Sequence, residues 1–315
     1  MKRIIESVTP LQRYIAEEIA TDHVDGLLSR REALRRLALL GMGTAAATAL
    51  IAACGQNKQT SSQSESAPSP TTSSSTTSSA APPPGMTAAL PTAATTWAGP
   101  RGQLQGAWAA APEPRGAMLV VHENKGLNDW VRSVAGRLAG AGYSSLAIDL
   151  LSGQGGTAAF ADPAEATAAL GKLAPEDMVA DLKSGVAEVA RRTPGQKVAA
   201  VGFCMGGGLV WRLLASGAPE LSAAFPFYGP LPDNPDFAGS KNVAVLGFYG
   251  ALDQRVTATE PAAAAALQKA GVVHQLVTEP GANHAFFNDT GDRYNPAAAG
   301  DAWRRMLDWL HTHVG

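Results

Sequence analysis

Two cysteines in 315 residues exclude a disulfide-framed fold. Charge of one sign is missing too. Lys+Arg number 25 against Asp+Glu 27, a formal net charge of -2, with no basic stripe interleaved with aromatics. Nucleic-acid binding therefore has no electrostatic footprint. No G-K-[ST] occurs, and the first strand-like run is not followed by G-x-G-x-x-G, so phosphate and dinucleotide loops are unsupported. C-x-x-C and H-x-x-H are absent as well. Neither a metal nor an organic cofactor is expected.

What is present begins with an uneven N-terminal third. Residues 1–36 are polar and mixed in charge, ending in S-R-R-E-A-L-R-R. An apolar stretch follows over 37–53, then Cys54. A basic segment before an apolar one is the pattern of an export signal. The stretch is at the low edge for a membrane-spanning helix of roughly 20 residues. Ser29-Arg30-Arg31 with Leu34 resembles a twin-arginine signal, although Ala33 takes the place of the usual bulky residue. Ile51-Ala52-Ala53-Cys54 resembles a bacterial lipoprotein box, which implies cleavage before Cys54 and a lipid on it. An uncleaved anchor or ordinary signal is the alternative. Residues 54–91 are Ser, Thr, Pro and Gln with few apolar side chains, a composition that cannot offset its ordering entropy. The expectation is an export signal over 1–53, a disordered tether over 54–91 and one folded domain over 92–315. The chain would be exported to the cell envelope and held at a membrane by its N-terminus, periplasmic or on the outer surface. Nothing suggests a repeated association surface, so a monomer is expected.

Within the domain, strand-like and helix-like segments alternate. A-M-L-V-V at 117–121 reads as a buried strand ending in H-E-N-K-G. Residues 128–140 place Trp130, Val131, Val134 and Leu138 at helical spacing, with Asn128 as cap. Further strands are predicted at 144–149, 197–203, 223–229, 242–250 and 273–278. Helices are predicted at 175–192, after Cys204, at about 259–270 and at about 298–313. The alternation predicts an α/β fold with a mostly parallel sheet and helices on both faces. Ligands of such sheets bind beyond the carboxyl ends of the strands.

The lone cysteine of the domain stands at such an end, in V-G-F-C-M-G-G-G-L-V. G-x-C-x-G-G between a strand and a helix allows a tight turn that lifts Cys204 above the sheet. The helix beginning there presents N–H groups that favour a thiolate and can hold an oxyanion. The bland reading is a small buried hydrophobe. A base and an acid follow in the order a hydrolase needs, with Asp253 in G-A-L-D-Q-R-V and His284 in E-P-G-A-N-H-A-F-F. Of six histidines only His122, at another strand end, competes as base. Asp253 could instead cap the turn before Val256. Glu123 is the fourth candidate. On residue type alone it is equally a salt-bridge partner of Lys125.

These residues resemble the dienelactone hydrolase family of α/β hydrolases over about 98–315. The anchors are His122-Glu123-Asn124-Lys125-Gly126, Gly202-Phe203-Cys204-Met205-Gly206-Gly207, Asp253 with Val256, and Gly281-Ala282-Asn283-His284-Ala285-Phe286. The resemblance implies hydrolysis of a small ester or lactone by Cys204, with His284 as base and Asp253 orienting it. It implies that Glu123 guards the resting thiol, and that the backbone N–H groups of Met205 and Asn124 form the oxyanion hole. Lys125, Arg255 and Phe286 are candidate substrate contacts. The family's dienelactone-opening enzyme holds its substrate carboxylate with arginines near the elbow and in the earlier loop, and this sequence departs from that pattern, with no arginine at the elbow or in the loop after Asp149. The alternatives are a thioesterase or acyltransferase on the same scaffold, a non-catalytic envelope binding protein, and a thiol redox protein, which would need a resolving cysteine.

Overall fold

The structure, a computed structural model, describes residues 9–62 and 81–315. The chain divides into two compact units, Met1–Pro82 and Pro83–Gly315.

The first unit contains the helices α1 (Pro10–Val24), α2 (Arg30–Leu39) and α3 (Thr44–Ser62). Thr9 and Gln12 form a reciprocal capping box at the start of α1, and the Ser29 hydroxyl accepts from Glu32 N–H at the start of α2. The apolar stretch 37–53 is not one helix. The chain turns after Leu39, with Gly41 at φ 87°, and restarts at Thr44. α3 continues past Cys54 to Ser62, through residues whose composition predicted a tether. The rest of that predicted tether, over 63–80, lies outside the described residues. Among the described residues no helix is long and apolar enough to cross a membrane.

The second unit begins earlier than residue 92. Its first residues run along the helix α4 (Asp129–Gly140), where Leu90 N–H donates to the Gly136 carbonyl at 2.9 Å. A Cβ at Gly140 would lie 1.9 Å from the Ala88 carbonyl oxygen, and one at Gly136 2.3 Å from that of Leu90. The two glycines are what let the backbones touch.

The sheet has eight strands: β1 (Ala93–Gly99), β2 (Gly102–Ala109), β3 (Gly116–Val121), β4 (Tyr143–Asp149), β5 (Val198–Phe203), β6 (Leu221–Phe227), β7 (Ala244–Gly250) and β8 (His274–Glu279). Their order is β1-β2-β4-β3-β5-β6-β7-β8. β1 and β2 form an antiparallel hairpin, β2 joins β4 antiparallel, and the remaining pairs are parallel. The central strands β3, β4, β5 and β7 are buried along their whole length, as parallel strands covered on both faces should be. The other helices are α5 (Pro163–Gly171), α6 (Pro175–Arg192), α7 (Met205–Ala215), the short α8 (Gln254–Thr257), α9 (Glu260–Ala270) and α10 (Pro296–His313). The apolar stripe Met178, Val179, Leu182, Val186 and Val189 of α6 is buried. α6 and α7 pack against one another and on the central strands. On the other face an aromatic series runs from Trp130 of α4 through Phe203 and Phe287 to Trp303 of α10.

The strand order reverses between β3 and β5. After β3 the chain moves outward to β4, then returns to the other side of β3. Such a switch point opens a crevice beyond the strand ends. Val121, which ends β3, lies beside Gly202.

Candidate active site

Cys204 occupies the turn between β5 and α7 at φ 54°, ψ -119°. A non-glycine residue is strained there, at a cost of about 1–3 kcal/mol. The flanking glycines make the turn sterically accessible. A Cβ at Gly202 would lie 2.1 Å from the Gly206 carbonyl oxygen, and one at Gly206 2.5 Å from those of Val121 and His122. The elbow is thus pressed onto the end of β3. The Cys204 carbonyl accepts from Gly208 N–H at 3.1 Å, which leaves the amide of Met205 at the open N-terminal end of α7. Gly207 and Gly208 are packing residues too. Side chains there would meet the Phe227 carbonyl and Pro230.

Asp253 follows β7 and is buried. One carboxylate oxygen accepts from Val256 N–H at 3.4 Å, capping α8. The other lies 2.6 Å from Nδ1 of His284. One carboxylate thus both caps α8 and contacts the His284 ring. His284 lies in the loop after β8. That loop is held against the one after β7 by Leu252 N–H donating to the Ala282 carbonyl at 2.9 Å. His284 is buried, and the Cys204 sulfur lies within 4.8 Å of one of its ring nitrogens. Ala285 next to it has φ 61°, which kinks the loop and turns the histidine inward.

Tyr228, at the end of β6 with φ 37°, packs edge-on against His284 at 5.1 Å between ring centroids. Phe286 packs edge-on against Tyr228 at 5.4 Å between ring centroids and is fully buried. The sequence suggested Phe286 as a substrate contact. Its ring meets those of Tyr228 and Phe227. Lys125 is exposed and Arg255 is half-buried on α8.

His122 is fully buried at the end of β3. Leu150 N–H donates to its Nε2 at 3.2 Å, so the ring proton resides on Nδ1, 2.6 Å from the Glu123 carbonyl. Burial lowers its basicity, against the opposing pull of Asp149. The rival base is therefore a neutral tie between the loops after β3 and β4. A second tie is Thr157, which donates to Asp149 at 2.8 Å and accepts from Leu127 N–H at 2.9 Å.

Glu123 follows His122 and is buried. Its Oε2 accepts from Nδ2 of Asn288 at 2.8 Å. This partner was missed in the sequence, as was Tyr228. The only signal was a polar pair, Asn288-Asp289, directly after two aromatics in H-A-F-F-N-D.

A strained cysteine elbow, a His–Asp pair that follows it in sequence and a reversal of strand order all match one family. The family model described as "Dienelactone hydrolase family" matches residues 105–314. The chain belongs to the dienelactone hydrolase family.

Among curated relatives, an Escherichia coli O157:H7 protein named "Putative carboxymethylenebutenolidase" is 34% identical over 215 residues, covering 64% of this chain and 79% of that protein. The crystal structure of a "Putative Dienelactone Hydrolase" from Klebsiella pneumoniae matches with TM-score 0.61 and 29% identity, covering 71% of this chain and 100% of the other. A dienelactone hydrolase-like promiscuous phosphotriesterase from metagenomic libraries matches with TM-score 0.54 and 25% identity, covering 72% and 100%. The chain is thus a dienelactone hydrolase-like enzyme of the carboxylic ester class, with a cysteine at the nucleophile position of an α/β hydrolase.

Proposed function

We propose that this enzyme cleaves small esters or lactones through an acyl-thioester on Cys204. The observation that carries the reading is the line from the strained Cys204 elbow to His284 and on to Asp253, with its 2.6 Å closing contact. His284 takes the thiol proton and the sulfur attacks the acyl carbon. The oxyanion that forms meets the backbone N–H groups of Met205 and Asn124. When the C–O bond breaks, the leaving alkoxide receives the proton from His284. In a lactone that alcohol remains tethered, and the ring opens. Water then loses a proton to His284 and attacks the thioester, the acid departs, and Cys204 recovers its proton. Asp253 fixes the tautomer of His284 and stabilises the imidazolium. Glu123 acts as partner of the resting thiol. The name carried by the curated relatives supports a lactone among the substrates. Lys125 and Arg255 are the cations available to an acidic one.

The test is intact-protein mass spectrometry during turnover of short p-nitrophenyl esters and a lactone panel. The unmodified chain should show an acyl adduct that Cys204→Ala abolishes, and His284→Ala should slow its formation by about 10³-fold or more. An adduct that persists in Cys204→Ala overturns the assignment of the nucleophile.

We further propose export to a bacterial cell envelope, with a lipid on Cys54 and operation as a monomer. The support is Ser29-Arg30-Arg31, the apolar stretch 37–53 and the polar composition that follows. Cys54→Ala should release the protein from membranes. Retention with an intact N-terminus would favour an uncleaved anchor.

A further inference from the structure

Asn288 is only 4% exposed, at the far end of the loop that carries His284. Both sides of its amide are engaged. Oδ1 accepts from the Thr290 backbone N–H at 3.0 Å and from the Thr290 hydroxyl at 2.7 Å. Nδ2 donates to Oε2 of Glu123 at 2.8 Å. A flipped amide would set its NH2 group against the Thr290 N–H and its oxygen against a carboxylate. The network therefore dictates the orientation. The next residue is anchored as well. Asp289 accepts from Nη2 of Arg137 at 2.8 and 2.9 Å and from Nε1 of Trp130 at 2.9 Å. Arg137 and Trp130 both belong to α4 and are buried. The donor that faces Glu123 is thus fixed by a rigid helix, not by a mobile loop.

A glutamate has three side-chain torsions, and burial alone does not choose among its rotamers. A directed N–H donor does. We propose that Asn288 is a positioning residue, which holds the Glu123 carboxylate in one orientation and thereby sets the rate at which Cys204 is acylated. The inference rests on the reading of Glu123 as partner of the Cys204 thiol. It also assigns a purpose to the Asp289–Arg137 ion pair, which keeps Asn288 in place.

The experiment is a double-mutant cycle on the full chain, read by the burst of p-nitrophenol release from p-nitrophenyl acetate and by steady-state kcat and KM. Asn288→Asp keeps the size and the Thr290 contacts but replaces the donor with an acceptor. It should slow the burst about tenfold or more and lower kcat/KM by the same factor. In a Glu123→Gln background the glutamine amide can donate to the introduced carboxylate. There the same substitution should change the burst by less than about twofold. Equal losses in both backgrounds would show a structural role alone and overturn the proposal. Asn288→Ala, which removes the donor without introducing a charge, should repeat the cycle if Asn288→Asp lowers the folded yield. Glu123→Gln by itself separates the two levels. If it leaves the burst unchanged, the reading of Glu123 fails and the positioning role fails with it. If it slows the burst while the Asn288 losses are additive, only the inference about Asn288 fails.

Discussion

The reaction centre depends on a few residues in sterically demanding places. Gly206 is the clearest. Its missing side chain lets the elbow lie on the carbonyl oxygens of Val121, which ends β3, and His122, each 2.5 Å from where a Cβ would be. Backbone oxygens cannot rotate away, so Gly206→Ala must lift the elbow. The expected outcome is loss of at least about 10²-fold in kcat/KM, together with a lowered Tm, since a misplacement of 1 Å can cost that much. Asp253 separates its two tasks. Asparagine can still accept from Val256 N–H, so the cap of α8 survives in Asp253→Asn. The charge beside the His284 ring is lost and the wrong tautomer is favoured. Steady-state kinetics should show kcat reduced on the order of 10³- to 10⁴-fold, with little change in Tm. A loss below tenfold would mean that His284 needs no orienting acid.

At the scale of elements, the loop after β8 is the part that must be held. It carries His284, yet its backbone is kinked at Ala285. Two anchors fix it. One is its bond to the loop after β7, and the other is the buried Arg137–Asp289 pair to α4. Arg137 is 1% exposed, so removing one partner strands a buried charge. Arg137→Met should destabilise the enzyme by about 3–5 kcal/mol in chemical denaturation. The double variant Arg137→Met with Asp289→Leu should recover a good part of that loss, because no lone charge remains. If the single variant costs less than about 1 kcal/mol, the pair is not what fastens the loop.

Two buried groups give the whole molecule opposed responses to pH. Burial keeps the His122 ring neutral below its ordinary value of 6.5. An unfolded chain takes up this proton first, so the contribution of His122 is present above 6.5 and is lost as pH falls below it. Glu279, which ends β8, behaves inversely. Burial first, then the neighbouring Asp301, pushes its carboxyl up to about 7 from 4.5. The folded chain keeps a proton that the unfolded chain has already released, so this contribution is present at low pH and is lost as pH rises through about 7. Glu279→Gln should therefore match the natural chain near pH 4 and exceed it in Tm at pH 8. A gap that is the same at both pH values would contradict this. The strands, the helices and the elbow were legible in the sequence because each is set by near neighbours. The stripe on α6, the Asn128 cap and the glycines around Cys204 all act within a few residues. The contact between Asp253 and His284 could be anticipated, because a hydrolase fixes the order of acid and histidine along the chain. The hairpin β1–β2 was not, since only Trp97 of β1 is buried and the alternation is faint. Nor was α5, a short Ala-rich helix whose signals are the Asp162 cap and Pro163. Only the tertiary structure decided that His122 ties loops, that Phe286 packs edge-on against Tyr228, and that Glu123 meets Asn288 across 165 positions. Such partners leave no local pattern. They meet because the strand order reverses at β3, which brings distant loops together over one end of the sheet.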